Sequence, residues 1–155
     1  MAGKILVVDD EPNVRSFLNT LLAEEGYEVI LASDGKEAME LVATESPEAI
    51  LLDINMPGIN GLEVCKKLKE REETRYIPII IVTGLDDRGF MAYLEGADDF
   101  VTKPFRPVEL IFRINSMVRI RQLNIRLQLA MAYIKQLEKN VRELKVIVHQ
   151  QIDPF

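Results

Sequence analysis

Cysteine is nearly absent from these 155 residues. The lone Cys65 excludes an intrachain disulfide and any multi-cysteine metal site. Long apolar runs are also missing. None exceeds about six residues, against the roughly 20 that a membrane-spanning helix needs. The opening Met-Ala-Gly-Lys-Ile-Leu-Val-Val meets two aspartates too early for a signal peptide, so a cytoplasmic protein without membrane association is expected. Positive charge is scarce. Lys and Arg number 19 against 25 Asp and Glu, a net of −6, which argues against nonspecific nucleic-acid binding.

That charge is split along the chain. Residues 1–105 hold 10 basic and 21 acidic side chains, net −11, whereas residues 106–155 hold 9 and 4, net +5. An acidic front and a mildly basic tail imply two parts with different jobs.

What is present is a strict alternation. Apolar β-forming runs at Lys4–Val8, Tyr27–Leu31, Ala49–Leu52, Pro78–Val82 and Asp99–Thr102 are separated by helical patterns. The first helix opens at Pro12 and carries Val14, Phe17, Leu18, Leu21 and Leu22 on one face, with Gly26 past its end. A short helix spans Gly35–Thr44. Another follows the Pro57, Gly58 and Gly61 loop with Leu62, Cys65 and Leu68 inward, and a third spans Asp86–Glu95. Cys65 is expected to pack rather than react, since no base is evident beside it. Phe90, Met91 and Tyr93 share the Asp86–Glu95 helix as core or partner surface. Five such repeats predict an α/β fold, a parallel sheet with right-handed crossovers covered on both faces.

In open parallel sheets the site lies beyond the carboxyl ends of the strands. Those ends carry Asp9-Asp10, Asp53, Thr83 and Lys103. Converging carboxylates repel and raise one another's pKa unless a cation joins them, and an all-oxygen donor set in a shallow rim suits Mg²⁺. Thr83 offers a hydroxyl donor and Lys103 a compact positive charge. An aspartate among these groups is placed to attack a phosphoryl group. The alternatives are ordinary: Asp9 or Asp10 as a helix cap, Asp53 as a loop carboxylate, Lys103 as a solvated charge.

These residues resemble the receiver domains of two-component response regulators, over residues 4 to about 121. The match lies in Lys-Ile-Leu-Val-Val-Asp-Asp-Glu-Pro, in the 51–63 segment Leu-Leu-Asp-Ile-Asn-Met-Pro-Gly-Ile-Asn-Gly-Leu-Glu, in Val-Thr-Gly at 82–84, and in Gly-Ala-Asp-Asp-Phe-Val-Thr-Lys-Pro-Phe at 96–105. The resemblance implies a doubly wound, flavodoxin-like (βα)5 sheet of order 2-1-3-4-5 and a histidine kinase as phosphodonor. It implies that Asp53 is the phosphoacceptor, that Asp10 and Asp53 ligate Mg²⁺ with Asp9 acting through water, and that the Asn55 backbone carbonyl is a further ligand. Thr83 and Lys103 would hold the phosphoryl oxygens, Phe100 would be the switch aromatic paired with Thr83, and the Lys103–Pro104 bond would be cis. Gly84 stands where alanine is frequent in the family.

From Pro107 to His149 no strong breaker interrupts a helical pattern of 43 residues, about 65 Å at 1.5 Å per residue. Apolar residues recur at 3-4 spacing: a positions Ile120, Leu127, Ile134, Val141 and Val148, and d positions Leu123, Ala130, Leu137 and Leu144. β-Branched a with mostly Leu at d favours a parallel two-stranded coiled coil, hence a homodimer. The e and g positions encode little pairing specificity, and no DNA-binding motif is evident. The expected organisation is a receiver domain over 1–121, a coiled-coil helix over 122–150 and a tail over 151–155. Asp153-Pro154-Phe155 resembles the opening of a diguanylate cyclase catalytic domain, which makes the regulatory fragment of an effector enzyme the alternative reading. A permanent dimeric scaffold is a third. His149 and Pro154 loosely resemble a histidine-kinase phosphoacceptor box, which requires an acidic residue where Gln150 stands. No effector catalytic residues occur in the 155, so beyond its own Asp phosphorylation and dephosphorylation the chain is not expected to be an enzyme.

Overall fold

The computed structural model describes residues 3–84 and 95–152. Five strands, β1 (Lys4–Val8), β2 (Glu28–Ala32), β3 (Ala49–Asp53), β4 (Ile79–Thr83) and β5 (Asp99–Thr102), form one parallel sheet in the order β2-β1-β3-β4-β5. Helices α1 (Pro12–Glu24), α2 (Gly35–Glu45) and α3 (Gly61–Glu70) connect them, and a C-terminal helix spans Pro107–Ile152. The parallel sheet is the one expected from the repeats, and its strand order is the flavodoxin-like one that the resemblance implies. The helix expected at Asp86–Glu95, with Phe90, Met91 and Tyr93, lies outside the described residues apart from Glu95.

Burial on both faces explains the unbroken apolar strands. On one face Leu6, Val8, Ile50, Leu52, Ile79 and Ile81 pack against Ala38 and Val42 of α2 and Val64, Cys65 and Leu68 of α3. On the other, Ile5, Val7, Leu51, Ile80 and Val82 meet Leu18 and Leu22 of α1 and Leu110, Ile114 and Val118 of the C-terminal helix. Each fully buried Leu or Ile contributes about 1.5–3 kcal/mol of transfer free energy. Two side chains depart from expectation. Phe17 is half exposed, its ring centroid 6.3 Å from that of Phe105, because α1 turns only Leu18 and Leu22 fully inward. Val64, not among the inward positions expected, is fully buried with Cys65 and Leu68, while Leu62 packs partly buried against the same core.

The second strand begins at Glu28, one residue later than its apolar run suggests. The Tyr27 N–H bonds the Leu22 carbonyl and the Gly26 N–H bonds the Ala23 carbonyl, so the chain is still closing α1 through a left-handed Gly26. Tyr27 is nevertheless buried, and its hydroxyl pairs with Asn115.

By compactness the chain divides into Met1–Arg121 and Gln122–Phe155. In the second unit the described residues are helical to Ile152, three residues past the expected His149. All are exposed, including Leu123, Leu127, Ala130, Ile134, Leu137, Val141, Leu144 and Val148 of the a/d stripe. Ile120, the first a position, is exposed within the first unit. The Asp153-Pro154-Phe155 resemblance falls outside the described residues.

Candidate functional site

Each site residue stands where a strand gives way to a loop. Val8 pairs in register with Ala32 and Leu52, so the Asp9-Asp10 pair leaves the sheet beside Asp53, the last residue of β3. Thr83 closes β4, and its carbonyl accepts the Lys103 N–H at 2.6 Å. The Lys103–Pro104 peptide is cis.

The three aspartates converge. One carboxylate oxygen from each of Asp9, Asp10 and Asp53 lies within 4.8 Å of the other two. Asp9 and Asp53 are buried and Asp10 faces solvent. Lys103 Nζ stands 3.2 Å from Asp9 Oδ2 and 3.8 Å from Asp53 Oδ2. Neither Asp9 nor Asp10 caps α1. The N-cap is Glu11, whose N–H donates to Asp9 Oδ1 at 2.9 Å. Arg15 Nη1 donates to the Asp9 carbonyl at 2.7 Å and fixes the backbone that presents the pair. Arg15 escaped the sequence reading; its only trace there is a basic side chain one turn into a helix that starts at the rim.

Asp53 is pushed up from its ordinary 3.8 to about 6. Burial is the main cause; Lys103 opposes it, the Asp9 charge adds to it, and the Asn55 N–H and Asp10 contribute less, in opposite directions. Mutual repulsion of the carboxylates is thus present but secondary to desolvation. The Asn55 N–H holds Asp53 Oδ1 at 3.3 Å, aiming the other oxygen at the rim.

Thr83 supplies the most telling atom. It is fully buried, and its Oγ1 has no hydrogen-bond partner among the described residues. An orphaned buried hydroxyl costs about 1–3 kcal/mol, which a ligand oxygen at the rim would recover. The donor set is all oxygen with an ammonium beside it, which fits a hard divalent cation together with an oxyanion and suits neither thiol- nor imidazole-seeking metals. Phe100, in β5, is 40% exposed. Cys65 is buried, and burial pushes its thiol up to about 11, so it packs rather than reacts.

Residues 5–115 match the family profile described as response regulator receiver domain. The chain belongs to that family. It is 42% identical over 150 residues to response regulator PleD of Caulobacter vibrioides, a match covering 95% of this chain and 31% of that protein. It is 42% identical over 121 residues to the alkaline phosphatase synthesis transcriptional regulatory protein PhoP of Bacillus subtilis, covering 77% of this chain and 50% of that protein. The chain therefore spans a third to a half of the length of these relatives. Among solved structures, a response regulator receiver domain protein from Clostridium thermocellum superposes with a TM-score of 0.73 at 30% identity, covering 79% of this chain and 98% of that one. The signal receiver domain of a signal transduction histidine kinase from Syntrophus aciditrophicus gives 0.72 at 36%, covering 76% and 91%.

Proposed function

We propose that this receiver accepts a phosphoryl group on Asp53 from a histidine kinase, in a Mg²⁺-dependent reaction, and relays the change through a dimeric helix. The observation that carries the reading is the rim itself: three carboxylates within 4.8 Å, an ammonium 3.2–3.8 Å from two of them, and a buried hydroxyl with no partner among the described residues. Asp9, Asp10, Asp53 and the Asn55 carbonyl would hold Mg²⁺, with Asp9 acting through water. When bound, the cation supplies positive charge that lowers the Asp53 pKa and neutralises the transferring oxygens.

The chain's own residues do the rest. Asp53 Oδ2 attacks phosphorus, the P–N bond to the donor histidine breaks, and the imidazole leaves with its electron pair. Lys103 takes up charge on one phosphoryl oxygen and the Thr83 hydroxyl donates to another. Pulling Thr83 toward the phosphoryl group opens space beside β4, and Phe100, partly in solvent, is the aromatic free to turn inward.

The tail supports the second half of the reading. Ile120, Leu123, Leu127, Ala130, Ile134, Leu137, Val141, Leu144 and Val148 form an a/d stripe that a parallel homodimer would bury. No described helix is long and apolar enough to cross a membrane, and we place the protein in the cytoplasm, without DNA binding by this chain. Deleting the seam beyond Arg121 tests the dimer: light scattering is expected to give a dimer for the parent and a monomer for the truncated chain, and an unchanged mass would refute it.

The similarity to PleD continues beyond the receiver to cover 95% of the chain while spanning 31% of that protein. That favours a second, compatible reading: the chain is the regulatory portion of a longer effector, such as a diguanylate cyclase. Reading the gene beyond Phe155 decides it, since an in-frame catalytic domain supports the reading and an immediate stop codon refutes it.

A further inference from the structure

The few basic residues of the acidic front are not scattered. Four of its ten, Lys66, Lys67, Lys69 and Arg71, lie on α3 or at its C-cap, and Lys36 opens α2 alongside. Lys69 is engaged, donating to the Arg75 and Ile77 carbonyls and to Asp98. Lys36, Lys67 and Arg71 are exposed, and none forms an ion pair among the described residues. These three rim a shallow hollow of about 290 Å³ between α2 and α3, with Met39 and Ile59 half-buried in it and Glu40 at its edge. A second hollow of about 420 Å³ shares Lys36 and Ile59 and runs along the loop Pro57–Gly58 that follows the Asp53 strand.

We infer that this α2–α3 groove docks a short acidic segment of a partner protein, which seats an apolar side chain on Met39 and Ile59 and lays carboxylates against Lys36, Lys67 and Arg71. Charge complementarity selects the occupant. Three unpaired cations on a front of net −11 form a local attractive patch in a repulsive field, so they steer and orient an anion at the rim rather than stabilise the fold. The apolar floor asks for a side chain that inorganic anions lack. A nucleic acid carries closely spaced phosphates that cannot avoid Glu40 and Asp34, and the acidic front repels it. A peptide sets its carboxylates on separate flexible side chains and can clear both. The groove is small, so the contact belongs to the weak, transient class.

The test uses the full chain, isotopically labelled, titrated with the peptide acetyl-Asp-Glu-Leu-Phe-Glu-Asp-amide while amide shifts are followed. Comparison probes carry Asn and Gln for the acids, or Ser for Leu and Phe, and a single-stranded oligothymidylate is titrated separately. Saturable shifts centred on Lys36, Met39, Ile59, Lys67 and Arg71 are expected, with affinity falling about tenfold for either altered peptide and for the exposed double variant Lys67→Glu/Arg71→Glu. Lys36→Glu, at the other wall, is expected to weaken binding separately. Shifts centred elsewhere, no saturation by about 1 mM, binding indifferent to these changes, or stronger binding of oligothymidylate at the same residues would each overturn the inference.

Discussion

Asp53 is nearly out of water, yet the proposed attack on phosphorus requires it ionised, and its surroundings pull in both directions. Burial lifts its pKa to about 6, and Lys103 holds it down against that. The consequence for stability has a definite sign. Below about pH 4 the carboxyl is protonated in folded and unfolded chains alike. Between 3.8 and about 6 the unfolded chain ionises first, so the metal-free fold loses stability as pH rises and has lost this contribution fully above about 6. Asp53→Asn escapes that penalty. In EDTA its melting advantage over the parent is expected to grow from pH 4 to 6 and level off at roughly 1–3 kcal/mol, and to shrink when Mg²⁺ is added. A constant gap across that range would contradict the burial argument. Thr83 gives a second expectation from its orphaned hydroxyl. Thr83→Val removes an unpaired buried group, so metal-free stability should hold or rise, while affinity for beryllofluoride, a phosphoryl mimic, falls about tenfold or more. Equal affinity in calorimetry would remove Thr83 from the phosphoryl site.

The elements that hold these side chains were legible to different depths. Strands could be read because burial on both faces leaves continuous apolar runs such as Ile79–Val82, with a polar residue where each run meets the rim, whereas their order followed only from the receiver resemblance. Asp9, Asp10, Asp53, Thr83 and Lys103 were visible for the same reason. What stayed hidden is set by contacts between elements: Arg15 reaching the Asp9 carbonyl, Tyr27 still closing α1, and Phe17 turned half outward. The starts of α2 and α3, unlike that of α1, are fixed by side-chain caps, Asp34 accepting from the Glu37 N–H at 2.8 Å and Asn60 from the Glu63 N–H at 3.0 Å. At the second start, Gly61 lies so close to β3 that a Cβ would fall 2.3 Å from the Asp53 carbonyl oxygen, against backbone that cannot swing away. Gly61→Ala is therefore expected to cost about 1–3 kcal/mol in urea unfolding and to lower phosphorylation through displacement of the Asp53 strand end. Wild-type stability and labelling would show that the loop is looser than this packing implies. On the C-terminal helix, Leu137→Asp puts a charge into the a/d stripe and should shift the mass toward monomer. A dimer indifferent to it would place the interface elsewhere.

For the whole molecule, the question is whether a phosphoryl group on the receiver is felt in the tail. Phe100 and Lys103 precede the helix that begins at Pro107 by only a few residues, so site and helix share one short segment. If two dimer arrangements bind the phosphoryl group unequally, the coupling is reciprocal and typically about 1–3 kcal/mol. Cysteines at Leu123 and Leu137, with Cys65→Ala, should then crosslink differently with and without beryllofluoride, and forced dimerisation should alter affinity for the mimic. Identical crosslinking at full occupancy would leave a permanent scaffold as the better description of the tail. All of this depends on the chemistry at Asp53, and one measurement reaches that directly. Intact-mass analysis of the full chain after incubation with Mg²⁺ and a small phosphodonor should show a single added phosphoryl group on the parent, none in EDTA and none on Asp53→Ala. Equal labelling of Asp53→Ala, with the parent's modification mapping to another residue, would contradict the account.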